Sequence, residues 1–172
     1  AGGGSVLAFV SQDNTDWTFV GGITFAIPAN LDVGVAVTSH ADGQLTTSHV
    51  EGLSVIPLAW SAADIGAKGP AGSAVGAHDG STSFTIEGSG ADIWGSEDAF
   101  HFVSREVTGG VIIEARVLGE QAANPFAKVG VMIRDRLTPD AAFVMLDMKP
   151  NGEVEFMQRA APGEAVTYLG GR

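Results

Sequence analysis

Apolar and polar positions alternate with a period of two along much of the chain, most clearly over residues 127–159. Such alternation puts successive side chains on opposite faces of a strand. Three strands are expected there. In the first, Val129, Val131 and Ile133 share a core face while Lys128, Met132 and Arg134 share the other. In the second, Val144, Leu146 and Met148 oppose Phe143, Met145 and Asp147, and Pro150-Asn151-Gly152 supplies a hairpin turn. In the third, Val154, Phe156 and Gln158 oppose Glu153, Glu155, Met157 and Arg159. One sheet follows, with an apolar underside and an outer face that mixes Met with Arg134, Asp147, Glu155 and Arg159.

The rest of the chain reads the same way. Residues 6–10 and 17–20 form a hairpin across the turn at 11–16, and 23–27 is a strand closed by Pro28. Residues 32–39 set Val33, Val35 and Val37 against Gly34, Ala36 and Thr38, so the small face must be closely covered. A strand over 45–55 leads to a joint marked by Pro57 and Trp60, and 64–80 is loop-like. Strands follow at 83–87, 99–107 and 111–118, then a short one at 165–169; in 111–118 Val111, Ile113, Ala115 and Val117 point in, Glu114 and Arg116 out. No helix is expected. Short strands divided by Gly, Pro and Asp turns imply an all-β, antiparallel two-sheet sandwich, since parallel sheets need long crossovers.

Composition narrows the partners. The 172 residues suit one domain, and 24 glycines spread along the chain act as turn punctuation. A net charge of −11 repels phosphate, which argues against nucleic acid and anionic membrane and favours neutral sugars or cations. With no cysteine there is no disulfide and no thiolate metal site. No run approaches a membrane span, and residues 1–5 lack the basic start and apolar middle of a signal peptide, so the chain reads as a piece of something longer.

Four segments carry a family resemblance. W-S-A-A-D-I-G (60–66), G-S-G-A-D-I-W-G (88–95) followed by D-A-F-H-F, A-K-V-G-V-M-I-R-D (127–135) and F-M-Q-R (156–159) resemble the first two-thirds of a concanavalin A-like jelly-roll domain of undefined function. S-Q-D-N-T-D-W-T (11–18) and V-G-V-A-V-T-S-H (33–40) resemble the last third of the same kind of domain. The family occurs in secreted bacterial proteins, beside carbohydrate-active enzymes or as tandem repeats. Residues 1–57 thus resemble a domain's end and 58–172 its beginning, together about one domain in permuted order. Either the chain is cut from a tandem array, or it is a circular permutant whose parts pack together. The family pattern also implies a further strand between F-M-Q-R and the S-Q-D-N-T-D-W hairpin that is not found here. An open sheet edge would then invite strand addition from a neighbouring copy, giving a homo-oligomer or polymer.

Candidate sites follow from residue chemistry. Trp94, set among glycines and acids, is the tryptophan most suited to stack on a sugar ring, whereas Trp17 is expected in the core and Trp60 as a boundary anchor. Arg134, Asp147, Glu155 and Arg159 would line the ligand face, against the plainer reading of cross-strand ion pairs. Met132, Met145 and Met157 share that face, so a ligand or another layer must cover it. Two acidic clusters, Asp13 with Asn14 and Asp16, and Asp92 with Glu97 and Asp98, are the places where calcium would bind, though neither has the spacing of a calcium loop and both suit turn formation.

Catalysis is not expected. Glu153-Val154-Glu155-Phe156-Met157-Gln158 comes nearest to the E-x-D-x-x-E of glucanases on this general fold, and Gln158 cannot shuttle a proton. The four histidines lack zinc spacing. The expected function is a secreted, non-catalytic module that binds carbohydrate on a concave sheet face. The alternatives are a structural repeat of a bacterial surface array, adhesin or filament and, last, a glycoside hydrolase.

Overall fold

The computed structural model describes residues 3–26, 30–53, 60–66, 69–76 and 83–172. Pro28, Pro57 and parts of the 64–80 segment lie outside them. The described chain is all-β. Its strands are β1 (Gly3–Val10), β2 (Thr18–Ala26), β3 (Asn30–Thr38), β4 (Ala41–Glu51), β5 (Ser61–Ile65), β6 (Ser73–Val75), β7 (Phe84–Gly90), β8 (Ile93–Trp94) and β9 (Glu97–Asp98). They continue as β10 (Phe100–Thr108), β11 (Arg116–Gln121), β12 (Lys128–Arg134), β13 (Phe143–Met148), β14 (Val154–Arg159) and β15 (Thr167–Gly171).

A seven-stranded sheet runs β15-β14-β13-β12-β3-β10-β5 and a four-stranded one β11-β4-β7-β6, while β1-β2 and β8-β9 are separate ribbons. Every pairing is antiparallel. The two parts of the chain interleave. β3 lies between β12 and β10, and β4 lies between β11 and β7, so strands from residues 1–57 sit at the centre of both larger sheets.

The underside of the large sheet is covered twice. Val35, Val37, Val103 and Val129 pack against Val50, Phe84 and Ile86 of the small sheet, together with Leu53 and Trp60. Farther along, the ribbon β1-β2 lays Val6, Ala8, Val20 and Ile23 over Val144 and Phe156. Gly21 permits that approach, since a Cβ there would lie 2.6 Å from the Phe156 ring.

Several expectations change in detail. Trp17 is not core but 46% exposed, because it precedes β2 at the end of the ribbon, beyond the sheet it would pack on. Trp60 is buried edge-on to Phe84 beneath the Arg105 guanidinium. Residues 61–65 and 73–75, read as joint and loop, form edge strands paired to β10 and β7. Residues 111–115 keep their alternation, with Ile113 and Ala115 against the core, yet the ladder with β4 begins only at Arg116.

Candidate functional site

The outer face of the large sheet is roofed over by another layer of the chain. Gly34, Met132, Met145 and Met157 lie in one cross-strand row, and the three methionines are fully buried. Phe100, Phe102 and Phe143 extend this second core, and Ile93 from β8 and Val166 from the loop before β15 close it.

Two arginines hold the roof in place. Arg159 grips both Asp98 oxygens, at 2.6 and 2.8 Å, and donates to the carbonyls of Gly95, Pro139, Ala141 and Glu164. Arg134 donates to the carbonyls of Arg136 and Thr138 and approaches Asp98 at 3.6 Å. All three side chains are fully buried. Burial pushes the Asp98 carboxyl up against the pull of Arg159 and Arg134, and burial lowers Arg134 to about 10, still charged at neutral pH. The expectation that Arg134 and Arg159 line an open ligand face is therefore corrected. Their donors tie three loops to the sheet instead.

Trp94 stands above this layer. In the β8-β9 ribbon Ile93 pairs with Asp98 and Trp94 with Glu97 around a turn that needs the positive φ of Gly95. Ile93 is fully buried, so alternation turns Trp94 outward, where it is 44% exposed. It borders a groove of about 420 Å³ that includes Asp42, Asp92, Glu97 and Asp98. Lys128 lies 5.9 Å from the Trp94 ring centre and forms an ion pair with Asp92, which His40 also approaches at 3.1 Å. His40 stacks obliquely on Phe126, and Lys149 reaches over Phe126 while bonding Glu153 and Glu155. A line of aromatic and charged groups thus runs from Trp94 to Glu155.

Asp147 lies beneath that line. It is 2% exposed, and neither carboxylate oxygen has a hydrogen-bond partner among the described residues. Burial raises its carboxyl well above the usual range, opposed by Lys128 and reinforced by Glu155. Of the five expected ligand residues, Trp94 borders the groove, Asp147 lies close enough to Lys128 to feel its charge, and Glu155 pairs with Lys149. Lys128, His40, Phe126 and Lys149 were missed, although alternation over 127–135 already put Lys128 on the same face as Met132.

The acidic clusters are occupied by the protein's own groups. Asp13 accepts from the Ser11 hydroxyl and from the Thr15 and Asp16 amides, closing a turn in which Asn14 takes a positive φ. Asp92 serves the Ile93 amide and Lys128, and Asp98 serves the arginines. Among the described residues no group of three His, Cys, Asp or Glu is arranged to hold a metal ion. Buried His101 bonds the more exposed Asp64 at 2.7 Å and so joins β10 to β5, but His101 Nε2 meets no hydrogen-bond partner among the described residues. A second depression of about 490 Å³ lies between His49, Phe84, Thr85 and Leu118, and the described residues lining it carry no carboxylate or ammonium group.

No family model, curated protein or solved structure matches the chain.

Proposed function

We propose that this chain is a secreted, non-catalytic module of jelly-roll type that binds a neutral carbohydrate at the Trp94 groove. The observation that carries the reading is an exposed indole beside carboxylate acceptors: Trp94 is 44% exposed and Asp42 and Glu97 share its groove. A flat aromatic face takes up the C–H surface of a pyranose, and neighbouring carboxylates accept its hydroxyls. Lys128 and Asp92 hold each other beside the ring, which keeps the platform fixed before any ligand arrives.

The non-catalytic half of the proposal rests on the carboxylates. Glu153 and Glu155 both pair with Lys149, and Asp98 is locked between arginines. Two carboxylates that share one ammonium are engaged with it rather than left facing a glycosidic bond. A glycan-array screen with purified protein tests the reading. Binding of a neutral glycan that Trp94→Ala abolishes is the expected result; an array on which nothing binds, or binding untouched by Trp94→Ala, sinks it. Polysaccharide hydrolysis lost in Glu153→Gln would instead establish an enzyme.

A further inference from the structure

The ribbon β1-β2 is apolar on both faces. Its inner face packs on Val144 and Phe156, as a covering layer should. Its outer face should then be polar, and it is not. Leu7 is 61% exposed, Phe19 58% and Phe9 41%. Phe9 and Phe19 are direct cross-strand partners with ring centres 5.4 Å apart, and Leu7 opposes Gly22, whose missing Cβ would touch both Leu7 and Phe19. These three side chains make one continuous patch, and Trp17, 46% exposed, immediately precedes β2.

From these observations we infer that the outer face of β1-β2 docks against the same face of a second copy of this chain. Two arguments select that occupant. The first is charge. The chain carries −11 overall, yet neither Gly3–Val10 nor Thr18–Ala26 contains a charged residue, so this is a surface on which two acidic copies can meet without opposing like charges directly. The same acidity disfavours an anionic bilayer as occupant. The second is area. With aromatic side chains burying about 150–250 Å² each, the exposed fractions of Leu7, Phe9, Trp17 and Phe19 amount to roughly 400 Å² per copy. Two copies bury about twice that in apolar contact, and a rim of Ser5 and Thr24 brings the total toward the ~1,200 Å² lower bound of a stable interface. A two-fold arrangement of identical patches satisfies both.

Sedimentation velocity across a concentration series tests this, with Leu7→Asp/Phe19→Asp as the variant. Wild type should form a dimer whose affinity rises with added salt, because screening relieves the repulsion between acidic copies. The double variant should stay folded and associate at least roughly 30-fold more weakly, the loss expected for one interface hot spot. A wild type that stays monomeric at about 1 mM, or a dimer that the double variant does not weaken, overturns the proposal. Should the aspartates prevent folding, the absence of native cysteine allows a second test. Under mild oxidation Phe19→Cys should cross-link to a covalent dimer much faster than Ile112→Cys, which is 85% exposed elsewhere on the surface. Equal rates overturn it.

Discussion

Arg159 holds Asp98 with both ends of its guanidinium, 2.6 and 2.8 Å from the two carboxylate oxygens, in a place solvent does not reach. The pair joins β14 to the β8-β9 ribbon, 61 residues earlier in the chain. Four more bonds from Arg159 run to loop carbonyls, so one side chain fixes the roof of the methionine core at several points. Its planar fork of five donors suits this role, which a lysine's single ammonium cannot fill.

Breaking the pair from one side should be costly. Asp98→Ala leaves two buried guanidiniums without their carboxylate, and Arg159→Met leaves the Asp98 charge to Arg134 alone. Each should lose about 3–5 kcal/mol in urea unfolding. Arg159→Lys should recover only a minor part. Proteolysis should first strike 135–142 and 160–166 in these variants, because those loops lose their anchors. Stability within about 1 kcal/mol of wild type would show that the roof is held by its apolar contacts alone.

How much of this was legible beforehand depends on range. Alternation along 127–159 separated the two faces of β12, β13 and β14 correctly, because period two is a local property of the chain. It also established that three methionines on one face require a cover. What the cover was, and what held it, depended on Asp98 meeting Arg159 across 61 residues, and no local pattern encodes such a contact. Arg134 and Arg159 therefore read as ligand groups when they are internal anchors. Trp17 misled for the opposite reason: a tryptophan followed by alternating residues suits a core, but the ribbon ends before it reaches one.

The close approach of β3 to its neighbours should tolerate no added methyl. A Cβ at Gly34 would sit 2.0 Å from the Val103 carbonyl oxygen, with backbone rather than a flexible side-chain end as the obstacle. Gly34→Ala should therefore cost about 3 kcal/mol, the upper end of ordinary overpacking. Gly119→Ala serves as control, since nothing lies within 4 Å of a Cβ there. Equal melting temperatures for the two variants would contradict this packing.

Glu120 on β11 gives the small sheet a pH dependence. Both its oxygens lack hydrogen-bond partners among the described residues, as does the hydroxyl of Ser48 opposite it, and burial raises its carboxyl from 4.5 to about 7. The folded chain then binds the proton more tightly than the unfolded chain does. Its contribution to stability is complete below about pH 4.5 and is lost as pH rises through about 7. Glu120→Gln should remove that slope and raise stability at pH 8 by about 1 kcal/mol, a figure kept small because the residue is only partly buried. Chemical denaturation at pH 5 and pH 8 measures it, and an unchanged slope in the variant would exclude Glu120 as the source.

Asp147 should act in the same direction from the opposite side of the large sheet. Only 2% exposed and without partners for either oxygen among the described residues, it folds more readily as the neutral acid, and burial lifts its carboxyl well above the usual value of 3.8. Stability from this group is therefore greatest in acid and declines as pH climbs above the ordinary carboxylate range. Lys128 opposes the shift, so removing that cation should steepen the decline. Asp147→Asn keeps the shape and discards the charge, and it should gain about 1 kcal/mol at pH 8 while changing little at pH 4. In Lys128→Met the gain from Asp147→Asn should be larger than in wild type, because the ionised carboxylate has then lost its nearest compensation. A double-mutant cycle at pH 8 reads this coupling directly. Additive free energies would mean that Lys128 serves Asp92 and the Trp94 platform and leaves Asp147 unassisted.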